Sequence, residues 1–389
     1  MHIGINAQLL SFGQNYRNSG VSRYIRHLLT ALAQWPGDHE YTVFVNGQDI
    51  IDQLDARHPQ ITYVSAPWPE TKPATRVVWE QFTLPSLIKQ RQLSVLHSPV
   101  NVLPAFVPPD CATVITLHDL AFVRFPEVVT GAKRLYHRIF TINSLRKATK
   151  IISVSESTKR DIHELVGIPL DRIHTVYPCI DKRFSNVFVE EKLHHFRCQN
   201  GLEEGYILYL GTLEPRKNIT VLIEAYAQLR QTHSLKEKLV LAGGKGWLYD
   251  AIFAKVQQLG LERYVLFPGF VTDSEQALWY QAASIFVYPS LYEGFGIPVA
   301  EALACGVPVI TSNVSSLPEA GAGLALCIDP HSAATLSETL YQALIDNTLR
   351  EKCRSMASSV AQRFSAQAMA KQTIAVYEQA VLKPQETFS

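Results

Sequence analysis

The chain has 389 residues, 47% hydrophobic and 18% charged, a globular composition too long for one ordinary core, so two domains are expected. The net charge is +1, which excludes any global demand for nucleic acid, although Lys and Arg number 20 against 15 acids over residues 1–185 and 16 against 20 beyond them. No run reaches the ~18–20 apolar residues of a membrane helix, and the opening MHIGINAQLL has no charged region ahead of a long apolar stretch, so it does not read as a signal peptide.

Short β-branched runs then alternate with helical stretches. Ile3–Asn6 reads as the first strand, and Val21–Gln34 as a helix with Val21, Ile25, Leu28, Leu29 and Leu32 on one face. Tyr41–Val45, Ile61–Val64, Val95–His97, Thr113–Thr116 and Ile151–Val154 continue the strands, with Ser157–Val166 a helix behind the last. Ser185–Gly205 is charged and patternless and reads as a linker. The series restarts with strand Tyr206–Leu210, helix Thr220–Arg230, strand Lys238–Ala242 and helix Ala251–Leu259. Val265–Phe267, Ile285–Tyr288 and Val309–Ile310 complete the second set. Such alternation predicts an α/β architecture of two doubly wound parallel sheets, with ligands beyond the carboxyl ends of the strands. Six cysteines (Cys111, Cys179, Cys198, Cys305, Cys327, Cys353) show no CxxC spacing, which fits reduced thiols in a cytoplasmic protein. Cys305 and Cys327 lie in apolar runs and are expected in the core.

The most informative segment is Ser290–Thr311, SLYEGFGIPVAEALACGVPVIT. It follows a strand with a turn holding Gly294 and Gly296, places Pro298 at a helix start, and stops the helix at Gly306. A tight turn into a helix N-terminus aims backbone N–H groups at one point and suits an anion. Glu293 in the turn and Glu301 in the helix can each accept hydrogen bonds from vicinal hydroxyls. Phosphates want the N–H groups and sugars want the acids, which together describe a sugar nucleotide.

Four other loops follow strands. Asn18–Tyr24 (NSGVSRY) puts Gly20 just before a helix, where its N–H can meet a phosphate or simply close a turn. His118 can bond a sugar hydroxyl with Asp119 orienting its ring; the structural alternative is a core histidine and a helix cap. Gly211–Asn218 (GTLEPRKN) carries the adjacent cations Arg216 and Lys217, able to stabilise a leaving diphosphate or merely solvated. In Gly269–Thr272 (GFVT) exposed backbone groups can read the edge of a nucleobase.

In this order the motifs resemble the retaining glycosyltransferases of family 4, which have the GT-B fold, over nearly the whole chain. The likeness extends to SVSESTKRDI (Ser153–Ile162), SLPE (Ser316–Glu319) and a terminal Phe364–Val381 helix. It implies two Rossmann-like domains facing a central cleft. Residues 1–185 would form the acceptor-side domain, with a helix near 370–389 packing back on it, and residues 186–369 the nucleotide-sugar domain. It implies transfer of a hexose from a nucleotide-diphosphate sugar to a glycan or lipid-linked acceptor, with no cofactor and no metal.

The resemblance puts Gly20 near the diphosphate, His118 near the donor sugar, Arg216 and Lys217 on the diphosphate, and Phe270–Val271 at the base. Glu293 then faces donor hydroxyls, the N–H groups of Gly294, Phe295, Gly296 and Ile297 support sugar and phosphate, and Glu301 takes the ribose. His118, Arg216, Lys217 and Glu293 would carry catalysis. The TLHDL and LEPRKN forms are shared with mannosyl- and rhamnosyltransferase-like members, which makes mannose the expected donor sugar. Two departures stand out. Thr212 replaces a usual arginine after Gly211, with Arg216 the candidate substitute, and Tyr177-Pro178-Cys179 stands where many members have Pro-Asn-Gly.

A non-catalytic sugar-nucleotide-binding protein should lose His118 or Glu293, and both are present. A dinucleotide dehydrogenase needs G-x-G-x-x-G where the chain has Ile5-Asn6-Ala7-Gln8. A GT-B epimerase or phosphorylase shares the fold, but the Glu block favours transfer. Residues 130–150 (TGAKRLYHRIFTINSLRKATK) hold Lys133, Arg134, Arg138, Arg146, Lys147 and Lys150 and no acid, with Leu135, Tyr136, Ile139, Phe140, Ile142 and Leu145 interleaved. Such a helix either lies on anionic lipid, a peripheral contact at the inner face of a membrane, or turns its apolar side to the core.

Overall fold

The computed structural model describes residues 1–12, 20–54, 57–66, 73–125, 131–244, 246 and 248–382, with the backbone alone at 73–74 and 131–138. Two compact units emerge: Met1–Cys179 together with the segment from Ala366 onward, and Ile180–Ser365.

The first unit holds strands β1 (His2–Asn6), β2 (Glu40–Asn46), β3 (Ile61–Ala66), β4 (Val95–Ser98), β5 (Ala112–Leu117), β6 (Lys150–Ser153) and β7 (Ile173–Thr175). They form one parallel sheet in the order β3-β2-β1-β4-β5-β6-β7. The second unit holds β8 (Tyr206–Leu210), β9 (Lys238–Ala242), β10 (Val265–Gly269), β11 (Ile285–Tyr288), β12 (Val309–Ser312) and β13 (Leu326–Ile328). These are also parallel, in the order β10-β9-β8-β11-β12-β13. The unbroken apolar runs of the central strands have a direct cause: helices cover both faces of a parallel sheet, and every residue of β8 and of β11 is buried. Each sheet reverses its direction of winding once, between β1 and β4 in the first unit and between β8 and β11 in the second. Those reversals are where open α/β sheets place ligands.

Helix Gly20–Gln34 buries Ile25, Leu28, Leu29 and Leu32 as its periodicity requires. The last helix, Ala366–Val381, belongs to the first unit, where the Tyr377 hydroxyl meets His97 Nδ1 at 2.6 Å. Phe364 lies just beyond the preceding helix, Asn347–Arg363, rather than inside the last one.

Three expectations need correction. The stretch read as a linker contains helix Glu190–Gln199, whose polar sequence buries only Leu193 and so shows little periodicity; Phe196 meets Trp279 edge-on at 4.9 Å. Cys327 is exposed because β13 is the edge strand, and Cys305 is half-buried, whereas Cys111, Cys179 and Cys353 are the buried thiols. Pro298 occupies the second position of helix Ile297–Ala304, after Ile297, still within the turn that has no N–H to lose. The three-residue strands β7 and β13 are too short to show a period and had no counterpart in the sequence reading.

In the 130–150 stretch, helix Gly131–Lys147 turns Ile142 and Leu145 to the core and leaves Ile139 and Phe140 exposed by 46% and 45%. The side chains of Lys133, Arg134, Leu135, Tyr136 and Arg138 lie outside the described residues. Among the described residues no helix is long and apolar enough to cross a membrane.

Candidate active site

The winding reversal of the second unit brings together the loops after β8 and β11. The β8 loop ends in a short turn, Pro215–Lys217, and then Asn218 takes the left-handed conformation at φ 57°. Asn218 Nδ2 donates to the carbonyls of Pro289 (3.1 Å) and Pro330 (2.6 Å), and Leu291 N–H donates to the Arg216 carbonyl at 2.9 Å. These bonds stitch the basic loop to the acidic one. Gly243, after β9, approaches so closely that a Cβ there would sit 1.9 Å from the Gly211 carbonyl oxygen. Gly296 enters its helix at φ 99°, and a Cβ would meet Leu317 at 2.8 Å. Only glycine fits either position.

Lys217 Nζ donates to Glu293 Oε1 at 2.6 Å and to the Tyr288 hydroxyl at 2.8 Å. Arg216 Nη1 lies 3.3 Å from Glu293 Oε2 and donates to the Tyr292 carbonyl at 2.8 Å, while Nη2 pairs with Glu214 at 3.0 Å. Burial by itself would push the Glu293 carboxyl up. The charges of Lys217 and Arg216 outweigh it and hold the group at about 2, so Glu293 is ionised at neutral pH. Burial pulls the Lys217 ammonium down, opposed by Glu293. The Glu293 backbone is pinned on both sides: its N–H donates to Ser315 Oγ (3.1 Å) and its carbonyl accepts from Ser316 Oγ (2.9 Å). Glu301, one helical turn in and almost fully buried, accepts from the Tyr280 hydroxyl at 3.0 Å.

The remaining turn residues divide. Gly294 and Gly296 are buried in the bend, Ile297 begins the helix, and Phe295 turns into the core against Phe364 at 5.2 Å. Val271 is buried, while Phe270 is 68% exposed. The backbone there is less open than expected: the Gly269 carbonyl accepts from Gly243 N–H, and the Thr272 carbonyl accepts from Glu275 and Gln276. That leaves the backbone of Phe270 and Val271 without a hydrogen-bond partner among the described residues.

In the first unit His118 follows β5. Its Nε2–H donates to the Pro99 carbonyl at 3.0 Å, and its ring meets Tyr24 edge-on at 4.8 Å. Burial lowers its proton affinity, which fits the neutral tautomer with Nδ1 as acceptor. Asp119 does not orient this ring: its Oδ1 accepts from Ala121 N–H at 3.0 Å and caps the turn that follows, a local bond that the chain makes at no entropic cost of long-range closure. Gly20 opens its helix with an exposed backbone; a Cβ there would meet nothing within 4 Å, so packing within the unit does not itself require glycine. Asn18 and Ser19 of that loop lie outside the described residues.

Structure therefore unites Arg216, Lys217 and Glu293 and adds Glu214, Tyr288, Ser315 and Ser316 to them. Tyr288 was hidden within an apolar strand, and Glu214 looked like ordinary loop charge. The SLPE block carried a signal for Ser316, and nothing in the sequence reading marked Ser315.

The fold agrees with three comparisons. The model for "Glycosyltransferase Family 4" matches residues 18–184, and that for "Glycosyl transferases group 1" matches 191–360. O-antigen chain mannosyltransferase B of Escherichia coli is 34% identical over 73% of this chain and 74% of its own length. The serotype-specific mannosyltransferase WbdA of Escherichia coli is 30% identical over 65% of this chain, which spans 32% of that longer protein. Among solved structures, HepE of Anabaena in complex with UDP and glucose superposes with a TM-score of 0.70 over 97% of this chain and 100% of its own, at 17% identity, a likeness of fold. The chain belongs to the family 4 glycosyltransferases of the GT-B fold and is a glycosyl-transferring enzyme.

Proposed function

We propose that the chain transfers a mannosyl residue from a nucleotide-diphosphate sugar to a hydroxyl of a glycan or lipid-linked acceptor, with retention at the anomeric carbon and without a metal. The observation that carries this reading is the convergence of Arg216 and Lys217 on Glu293 at the winding reversal of the second unit. As the anomeric carbon–oxygen bond breaks, charge grows on the departing diphosphate, and two preorganised cations stabilise that charge more than the ground state. Glu293, held ionised, accepts donor hydroxyls, and Glu301 takes the ribose. Phe270 and Val271 present open backbone to the base. Mannose follows the names of the two relatives, and a nucleotide donor follows the ligands of the HepE complex. Exposed Ile139 and Phe140 on a basic helix support a peripheral membrane contact near the acceptor's lipid.

The test is turnover of GDP-, UDP-, ADP- and TDP-sugars with oligosaccharide acceptors, read by NMR at the transferred carbon. GDP-mannose is expected to give a product of the donor's own anomeric configuration in the presence of EDTA. Inversion, or activity abolished by EDTA, overturns the corresponding part of the reading.

A further inference from the structure

The first unit has its own winding reversal, between β1 and β4, and that place holds an unusual set of polar groups. Asn6 ends β1, fully buried. Its Nδ2 donates to Glu80 Oε1 at 3.1 Å, and its Oδ1 accepts from the Gln8 N–H at 3.4 Å. Glu80 sits in a π-helical turn, Trp79–Thr83, wedged between helices Pro73–Val78 and Leu84–Gln90. Such turns bulge a helix and re-aim the side chains within it, frequently at functional sites. Asn6 is the one hydrogen-bond partner of the Glu80 carboxyl among the described residues, which leaves Oε2 open. Burial raises this carboxyl's proton affinity, and Arg76 and Asn6 only partly offset that.

Its neighbours are equally unsatisfied. Gln8 is 5% exposed and its Nε2 has no partner among the described residues; Asn46, at the end of β2, is 7% exposed and its Oδ1 has none among them either. Register and packing place Asn6, Asn46 and Glu80 on one face, and Gln8 is tied to them through its backbone N–H bond to Asn6. Asn6 pairs with Phe44, and Phe44 packs on Trp79 at 5.9 Å, next to Glu80. Asn46 lies two residues beyond Phe44 and so shares its side of the sheet. Leaving one buried polar atom unpaired costs about 1–3 kcal/mol. Two such atoms at the ends of the paired strands β1 and β2 favour a polar ligand there over simple packing.

We propose that Glu80, Asn6, Gln8 and Asn46 form a subsite for a neutral pyranose, the hydroxyl-bearing end of the acceptor. The inference rests on the transferase reading above. A carboxyl and amide groups offer alternating acceptors and donors, the pattern that vicinal hydroxyls match. The carboxyl disfavours a phosphate at the same place.

Binding of methyl α-mannoside, methyl α-rhamnoside and methyl α-glucoside, followed by ligand-observed NMR, tests the site without any donor. Wild type is expected to bind at least one of them. Glu80→Gln, which keeps the bond from Asn6, and Gln8→Leu are each expected to weaken it by about tenfold or more, the loss of one or two good hydrogen bonds. Lys217→Met is expected to leave that binding unchanged. Gln8→Leu carries a second readout: it removes an unpaired buried amide, so its thermal midpoint should hold or rise while binding falls, which a merely structural residue would not do. No binding by wild type, or equal binding by both variants, overturns the proposal. Donor turnover is measured separately. Pyranoside binding through Glu80 in a chain that turns over no nucleotide sugar would remove the transferase reading and leave the subsite standing.

Discussion

Replacing Lys217 by methionine removes a buried ammonium that lies 2.6 Å from Glu293 and 2.8 Å from the Tyr288 hydroxyl. Breaking a buried ion pair from one side costs about 3–5 kcal/mol, because the other charge stays behind. Arg216 still reaches Glu293 at 3.3 Å, so the lower end applies, about 3 kcal/mol. For a unit of this size that is a fall of about 6–12 °C in thermal midpoint. The pH dependence has a definite sign. Glu293 is held at about 2, below its usual 4.5, so its contribution to stability is present above pH 4.5 and is lost as the pH falls toward 2. The gap between wild type and variant should therefore narrow over that window. Lys217→Met/Glu293→Gln, which leaves no unpaired charge, should recover part of the loss at neutral pH. Turnover of Lys217→Met should fall by roughly 10²–10³, the scale of one lost transition-state donor. Differential scanning fluorimetry and initial rates measure both. A midpoint within about 2 °C of wild type at neutral pH, well short of that fall, would refute the argument that the pair is energetically coupled.

Three further outcomes follow from the same geometry. Glu293→Gln should bind free GDP or UDP more tightly than wild type while turning over more slowly, since the carboxylate now competes with phosphate for both cations; titration calorimetry showing weaker nucleotide binding would count against it. His97, buried between Tyr377 and Thr116, is pushed down by burial to about 3, below its usual 6.5. Its neutral form thus supports the fold above pH 6.5, and that support drains as the pH falls toward 3, by on the order of 1 kcal/mol per pH unit. Urea midpoints should lose that slope in His97→Gln, and identical slopes would exclude His97 as its source. Anionic vesicles should co-sediment the protein at low salt, and Ile139→Ser should weaken that binding; absence of binding by wild type would remove the membrane contact.

The sequence by itself determined the parallel α/β architecture, because fully buried strands must be apolar throughout and helices must carry a stripe; β8 and helix Gly20–Gln34 are legible for that reason. It also marked the basic and acidic loops of the donor side, since Gly296 and the residues beside it serve a local turn that depends on few other parts of the chain. What only the tertiary structure decided is which charges meet. Lys217 and Glu293 are 76 residues apart, and only the parallel pairing of β8 with β11 sets their loops side by side. The same holds for Asn6 and Glu80, 74 residues apart, where a turn wound as a π-helix aims the carboxyl at a strand end. Helix Glu190–Gln199 and the exposed Cys327 were misread because burial there is set by neighbours distant in sequence, which leave no period behind. Local patterns record what a residue does to its own segment, whereas partnership across a sheet is a property of the fold.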